Sequence, residues 1–423
     1  MDDAGFGALL GELLEESHHL PMEGIPALVA RAAKELGLDE ATVYLADVQQ
    51  ERLVPLGTVP DSSQGGLPVD ATLAGWAYRT VSLRVAEDGQ GGLAAWLPMM
   101  DGIERIGVLG LHARSLDGTL LGRCRALASL TTLLLLSRSM YSDTYLQATR
   151  ARPMHLPAEM VWAFLPPRTV GTRQVTSSAV MEPAYDIGGD AFDHSLSDKA
   201  LDATVIDAMG HDLASGLAAA VGLAGCRVAR RAGGDLKDIV ETIDHALAQW
   251  LPHRYLTAVF AHLDLASGQL RWANCGHPPP LLIRGQHVIS GALEHHAELP
   301  LGLGPGYPDV PRRIHHAQLE PGDRVLLHTD GVTEARSGTG EVFGERRFTD
   351  FVIRAIAAGE PTPEALRRLL HAVLDHRRGQ LDDDATILLF EWHPPSAEPT
   401  DASGIQTATH LPGKGVRAAP ANG

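Results

Sequence analysis

Four segments between residues 186 and 389 of this 423-residue chain set aspartates at the edges of apolar runs. They are Asp186-Ile187-Gly188-Gly189-Asp190, Val205-Ile206-Asp207-Ala208-Met209-Gly210-His211-Asp212, Val325-Leu326-Leu327-His328-Thr329-Asp330-Gly331, and Asp382-Asp383-Asp384-Ala385-Thr386-Ile387-Leu388-Leu389. Singly, each reads as a turn, because Asp makes Asx turns and Gly accepts positive φ. Together they read differently. Val205-Ile206 and Val325-Leu326-Leu327 are buried-strand runs, the first leading straight into Asp207 and the second reaching Asp330 after His328-Thr329, and Ile387-Leu388-Leu389 follows three Asp. A carboxylate at the end of a buried strand must be solvated, paired or bound to a cation. No Lys or Arg adjoins Asp207 or Asp330. Carboxylates that converge without cationic partners suit Mg²⁺ or Mn²⁺, which take hard oxygen ligands and keep several waters. Gly188, Gly189, Gly210 and Gly331 would let backbone and water approach closely.

Other hydrolytic chemistries find no support. None of Cys124, Cys226 and Cys275 has an Arg six positions on, and no GxSxG elbow occurs. The three cysteines form no CxxC pair, so they are expected as free buried thiols. The formal charge is −17 and the acidic excess is spread along the chain. That argues against a nucleic-acid footprint and against an anionic membrane surface. Hydrophobic residues make up 44 %, enough for real cores. The N-terminus opens acidic, unlike a signal peptide, and the most apolar run, Leu130–Leu136, is short for a membrane span. A cytoplasmic protein is expected.

These aspartates need elements to position them. Residues 6–37 read as helices, 41–47 and 52–56 as strands, 73–78 as a helix and 81–85 as a strand. Residues 92–100 and 105–113 read as a hairpin turning at Asp101-Gly102. A long helix follows from about Thr119, with Leu127, Leu130 and Leu134 on one face. A connector helix is expected near 156–165, with Leu156, Met160, Val161, Phe164 and Leu165 on one face. It would be a packing element, a rod between domains, or both. A second globular region spans 168–393, and a Pro/Ala/Gly-rich tail follows it. The division expected is 1–140, 141–167, 168–393 and 394–423.

The order of elements over residues 5–145 resembles a GAF domain, a small-molecule sensing and dimerising module. His18, His19 and His112 are single histidines and form no haem site. A homodimer is expected through the helix near Leu127–Leu134. The series DIGGDAFD, VIDAMGHD, YLTAVFAHLDLASGQLRWANCGHPPPLLIR, PLGL, LEPGDRVLLHTDGVTEAR and DDDATILL, over about 155–392, resembles the SpoIIE-like serine/threonine phosphatases of the metal-dependent (type 2C, PPM) superfamily.

That resemblance implies an α+β protein: an N-terminal GAF-like α/β sensor domain, a helical linker, and a C-terminal α-β-β-α sandwich of two antiparallel sheets. It implies two Mn²⁺ or Mg²⁺ ions. Asp207 would bridge them with the Ala208 carbonyl nearby, Asp330 and Asp383 would hold one, and Asp190 the other. Asp384 is a close neighbour that the pattern Asp-Asp-x-Thr does not exclude. Two divalent ions would neutralise a phosphomonoester dianion and acidify a water between them. His211 is either a general acid to the leaving oxygen or a loop-stabilising residue. Asp212 departs from the family's Gly and is expected either to cap the helix starting near Leu213 or to sit by the metals. Asp186 stands where the family usually has Glu. The segment Asn274–Pro280 is expected as a turn shaping the site floor. The substrate implied is a phosphorylated anti-sigma-factor antagonist. A catalytically silent binding protein and a different two-metal enzyme are the alternatives.

Overall fold

The computed structural model describes residues 2–57, 65–89, 91–186, 188–210, 212–295, 298–307, 310, 312–335, 341–376 and 383–394. His211, Asp382 and the tail beyond residue 394 lie outside them.

The N-terminal part runs α1 (Asp3–Ser17), α2 (Ile25–Glu35), β1 (Glu40–Ala46), β2 (Arg52–Pro55), β3 (Leu67–Pro68), α3 (Leu73–Thr80), β4 (Arg84–Glu87), β5 (Leu93–Asp101), β6 (Glu104–Ala113) and α4 (Gly118–Ser139). Its strands form one antiparallel sheet in the order β3-β2-β1-β6-β5-β4. One face packs on α1, α2 and α4 around Leu9, Ile25, Leu28, Leu45, Leu97 and Leu135. The other packs on α3, where Tyr78 and Ala77 meet Leu53 and Val108.

Three local expectations shift. Val81 takes the left-handed conformation (φ 48°) and closes α3, so the next strand starts at Arg84. Asp101 pairs with Glu104, so the hairpin turns on Gly102-Ile103. Leu127 and Leu134, expected at a dimer contact, are buried in this domain's own core. The exposed apolar side chains there are Leu133, Met140 and Tyr141.

The connector holds α5 (Asp143–Thr149) and α6 (Leu156–Trp162). They are no continuous rod. Tyr145 and Ala148 of α5 join the N-terminal core, whereas Ala158 and Val161 of α6 join the next one. The expected single face is broken, since Leu156 and Phe164 are exposed.

The C-terminal part continues with β7 (Thr169–Gly171), β8 (Val175–Glu182), β9 (Asp190–Leu196), β10 (Ala200–Ala208), α7 (Leu213–Arg231) and α8 (Leu236–Trp250). Next come β11 (Leu256–Asp264), β12 (Gln269–Cys275), β13 (Leu281–Arg284), β14 (His287–Val288), β15 (His315–Gln318) and β16 (Arg324–His328). It ends with α9 (Asp330–Thr333), α10 (Glu345–Ala357), α11 (Thr362–His376) and β17 (Ala385–Trp392). Two antiparallel sheets result, β15-β12-β11-β10-β9 and β14-β13-β16-β17-β8-β7. Val205, Val259, Trp272, Leu327, Leu388 and Phe390 fill the space between them. The outer face of the first sheet meets α7 and α8 through Ile206, Leu223 and Ile243. That of the second meets α10 and α11 through Ile387, Phe348 and Leu369. This is the α-β-β-α sandwich. Sheets buried on both faces explain why their strands read as continuous apolar runs rather than alternating ones. By length and composition α4 and α7 would reach across a membrane, and each contributes its buried side to a core. The three cysteines are buried and free.

Candidate metal centre

The aspartates sit where strands stop. Asp190 opens β9 and lies directly opposite Asp207, near the end of β10. Asp330 is the first residue of α9, just past β16, and Asp383 and Asp384 precede β17. Strands β9 and β10 belong to one sheet and β16 and β17 to the other. The carboxylates therefore meet at one end of the sandwich.

Their electrostatics show the meeting. Asp207 is pushed up to about 7, first by burial and then by the charges of Asp330, Asp383 and Asp384. Asp190 is raised well above the usual carboxylate range by burial and by Asp207 and Asp384. Asp330 is raised by burial and by Asp383. Among the described residues none of these five side chains makes an ion pair with Lys, Arg or His. Mutual repulsion without a counter-charge is what a bound divalent cation relieves. Among the described residues no three Asp, Glu, His or Cys side chains stand close enough to ligate one ion together. An ion here would draw the mutually repelling carboxylates closer together and complete its shell with water, as Mg²⁺ does. The donor set fits such ions.

The two neighbouring aspartates before β17 part ways. Asp384 is buried, and its Oδ2 accepts from the backbone N–H groups of Gly188 (2.9 Å), Gly189 (2.7 Å) and Asp190 (3.3 Å). It anchors the loop that leads into β9. Asp383 is exposed and, among the described residues, accepts from the Asp384 N–H at 2.9 Å. Asp190 is oriented by Thr329, whose hydroxyl donates to Oδ2 at 2.7 Å while accepting from the Thr386 N–H at 2.9 Å. The sequence held no sign of Thr329 as a supporting residue, because a Thr before Asp-Gly looks like turn chemistry.

Asp212 is the N-cap of α7. Its Oδ1 accepts from Ser215 N–H at 2.8 Å and its Oδ2 from Arg254 at 3.2 Å, so the capping alternative holds. Asp186 pairs with Arg152 and His155 of the connector. The Tyr185 hydroxyl accepts from Ala151 N–H and its carbonyl from His155 N–H, so the connector grips the same loop.

Two glycines are steric requirements. A Cβ on Gly331 would lie 2.8 Å from the Asp384 carbonyl carbon and closer to its oxygen. One on Gly189 would lie 2.6 Å from the Gly210 carbonyl oxygen and overlap that of Ala208. Backbone cannot yield as a side-chain end can. Gly331→Ala is expected to cost about 1–3 kcal/mol of stability in urea unfolding. It should also weaken Mn²⁺ binding, whereas Gly344→Ala, with nothing near its Cβ, acts only through its positive φ.

Residues 197–393 match the family described as Stage II sporulation protein E. Just under half of the chain is thus similar to the SpoIIE family. Two curated relatives carry the same signal. Protein IcfG of Synechocystis is 27 % identical over 138 residues, 32 % of this chain and 20 % of that protein. Phosphoserine phosphatase RsbU of Bacillus subtilis is 24 % identical over 214 residues, 50 % of this chain and 62 % of that one. The chain thus spans less than two thirds of either relative. The SiaA-PP2C domain of Pseudomonas aeruginosa aligns with TM-score 0.48 and 24 % identity, over 56 % of this chain and 94 % of that one. Within the matched span lie Asp207, Ala208, Asp330, Asp383 and Asp384, while Asp190 falls just before it.

A pH effect follows from the raised carboxylates. The ordinary Asp value is 3.8, and Asp207 holds its proton up to about 7. A cation binding below that pH must first expel a proton, so its apparent affinity falls as pH drops through about 7. The gain in melting temperature on adding Mn²⁺ is expected to be larger at about pH 8 than at about pH 5.5. Differential scanning fluorimetry against an EDTA control measures it.

Proposed function

We propose that the protein is a divalent-cation-dependent phosphoserine/phosphothreonine protein phosphatase using two Mn²⁺ or Mg²⁺ ions. The observation that carries this reading is the convergence of aspartates from two sheets at one end of the sandwich, with proton affinities raised by burial and by one another and no cationic partner among the described residues. Asp207 would bridge the two ions beside the Ala208 carbonyl, Asp330 and Asp383 would hold one, and Asp190 the other. The occupied Oδ2 of Asp384 supports Asp383 as the ligand. Ions bound there supply charge neutralisation for a phosphomonoester dianion and a water acidic enough to attack at neutral pH. The chain's own groups hold and space them. His211, outside the described residues, is the candidate proton donor to the leaving serine oxygen.

The substrate we propose is a phosphorylated anti-sigma-factor antagonist, as the resemblance of the motif series implies, and the similarity to a protein named phosphoserine phosphatase RsbU supports the phosphoserine chemistry. The site of action is the cytoplasm. We divide the chain into a GAF-like sensor (1–140), a helical linker (141–167), the phosphatase (168–393) and a tail (394–423). A sensory role with a small-molecule ligand rests on the GAF-like order of elements, and the direct contact of the N-terminal sheet and connector with the C-terminal layers supports a link between the two regions. A homodimer would draw on Leu133, Met140 and Tyr141, which are exposed, rather than on Leu127 and Leu134.

The test is phosphate release from a phosphoserine peptide and from p-nitrophenyl phosphate, with Mn²⁺ and with EDTA. Mn²⁺-dependent release from the peptide is expected. No release from either substrate under any metal condition would remove the enzymatic reading.

A further inference from the structure

His277 lies in the turn Asn274–Pro280, and its ring is buried between the two sheets. The turn is built to present it. Asn274 Nδ2 donates to the His277 carbonyl at 2.9 Å, the His277 N–H donates to Asn274 Oδ1 at 2.9 Å, and Gly276 takes φ +74°. The ring then makes two contacts. Nδ1 is 2.8 Å from Thr257 Oγ1, and Nε2 is 3.0 Å from the His328 carbonyl oxygen. A carbonyl only accepts, so Nε2 carries the hydrogen. Nδ1 is then the acceptor and the Thr257 hydroxyl donates to it. Burial holds the ring neutral, with its pKa lowered to about 3, so this one tautomer persists across the working pH range.

The partners are what give the contacts meaning. Thr257 on β11 is the cross-strand partner of Asp207 on β10. Residues directly opposite in an antiparallel pair share a face and lie about 5 Å apart. His328 ends β16, next to Thr329, which orients Asp190, and two residues before Asp330. One imidazole therefore joins the strand beside Asp207 in the first sheet to the strand end that carries Asp330 in the second. Nothing in the apolar filling between the sheets specifies their spacing at this end so directly, because apolar contacts lack direction.

We propose that His277 is a positioning residue of the aspartate centre: as its Nε2–H tautomer it braces Thr257 against the His328 carbonyl and so sets the separation of Asp207 from Asp330. This rests on the cation-binding reading of the site given above. A brace of this kind acts as groups behind a metal's ligands do, whose loss typically lowers metal affinity about 10- to 100-fold.

Three variants of the full chain test it by isothermal titration with Mn²⁺, beside melting temperature in EDTA. Thr257→Val removes one hydroxyl at nearly constant volume. It is expected to lower Mn²⁺ affinity about tenfold while the melting temperature in EDTA stays near wild type. His277→Leu removes both contacts and is expected to lose about 10- to 100-fold. His277→Gln can still donate to the His328 carbonyl and should recover part of that loss. Should His277→Leu not fold, Thr257→Val and His277→Gln still decide the matter. Wild-type Mn²⁺ affinity in folded Thr257→Val and His277→Gln would overturn the brace alone. A wild-type protein that binds no Mn²⁺ would overturn the cation reading and the brace with it.

Discussion

Asp207→Asn is expected to lower Mn²⁺-dependent phosphate release from a phosphoserine peptide by more than about 100-fold, beyond the range for groups that only support a metal's ligands. The substitution keeps the shape and removes one negative charge. Asp207 feels Asp330, Asp383 and Asp384 at once and opposes Asp190 across the strand pair, so no other single change disturbs as many of the site's interactions. The same change should have the opposite sign on the metal-free protein. A carboxyl raised from 3.8 to about 7 in the fold ionises at a cost that grows as pH rises between those values. Above about pH 7 that cost is fully present, and below about pH 4 it vanishes. The Asn variant lacks it. In EDTA the variant should therefore melt higher than wild type at about pH 8 and equally at about pH 4, while gaining less from added Mn²⁺. Unchanged activity in the variant would remove Asp207 from the site. An unchanged melting temperature in EDTA at high pH would remove the repulsion.

Glu364→Gln is expected to cost about 3–5 kcal/mol of stability, the usual penalty for taking one member from a buried ion pair. Glu364 of α11 accepts from Arg105 of β6 at 2.9 Å and from Arg367 at 2.9 and 3.0 Å, and all three side chains are at most 5 % exposed. Arg105 also donates to Gln50 Oε1 at 3.0 Å, where the Tyr78 hydroxyl donates at 2.9 Å. Arg367 reaches Asp70 and the Gln50 carbonyl. Neutralising Glu364 leaves two buried guanidiniums without the carboxylate they share, with the largely exposed Asp70 on Arg367 and Glu104 in electrostatic range of Arg105. Urea denaturation measures the loss. The double variant Arg105→Leu with Glu364→Leu should recover part of it, because a single buried guanidinium, Arg367, then remains and Asp70 still pairs with it. Equal losses in single and double variants would show that the pair is not what joins the two regions. The join also lies on a packed route to the aspartate centre. Helix α11 packs on β8 through Leu366, Leu369 and Val180, and β8 leads into the loop that Asp384 anchors.

Much of the centre is legible in the order of residues, and the reason is local. A strand that stops at an Asp, with Gly beside it, advertises itself within five or six residues, because the apolar run reports burial and the polar residue reports its end. Asp190, Asp207 and Asp330 are recognisable this way, and so is Asp212 as a cap, since capping is decided within one helical turn. The order of these segments also suffices for the SpoIIE-type sandwich. Local patterns mislead where several backbone outcomes are close in energy. Val81 reads as a strand former yet closes a helix, and Asp101-Gly102 reads as a turn yet turns one residue later.

Composition and spacing are enough to establish that this acidic chain holds strand-end carboxylates without cationic neighbours in sequence. Which of Asp383 and Asp384 is free depends on long-range packing, because the groups that occupy Asp384 come from a loop 195 residues away. The same packing sends Leu127 and Leu134 inward, since an apolar helix face does not say what it will meet. It also turns Arg105, Glu364 and Arg367 from ordinary charged residues into a buried cluster, the first two 259 positions apart in sequence. Charge next to charge in sequence predicts a solvated face. Burial of those charges depends on two separately cored regions docking in one register, and no short-range pattern encodes that.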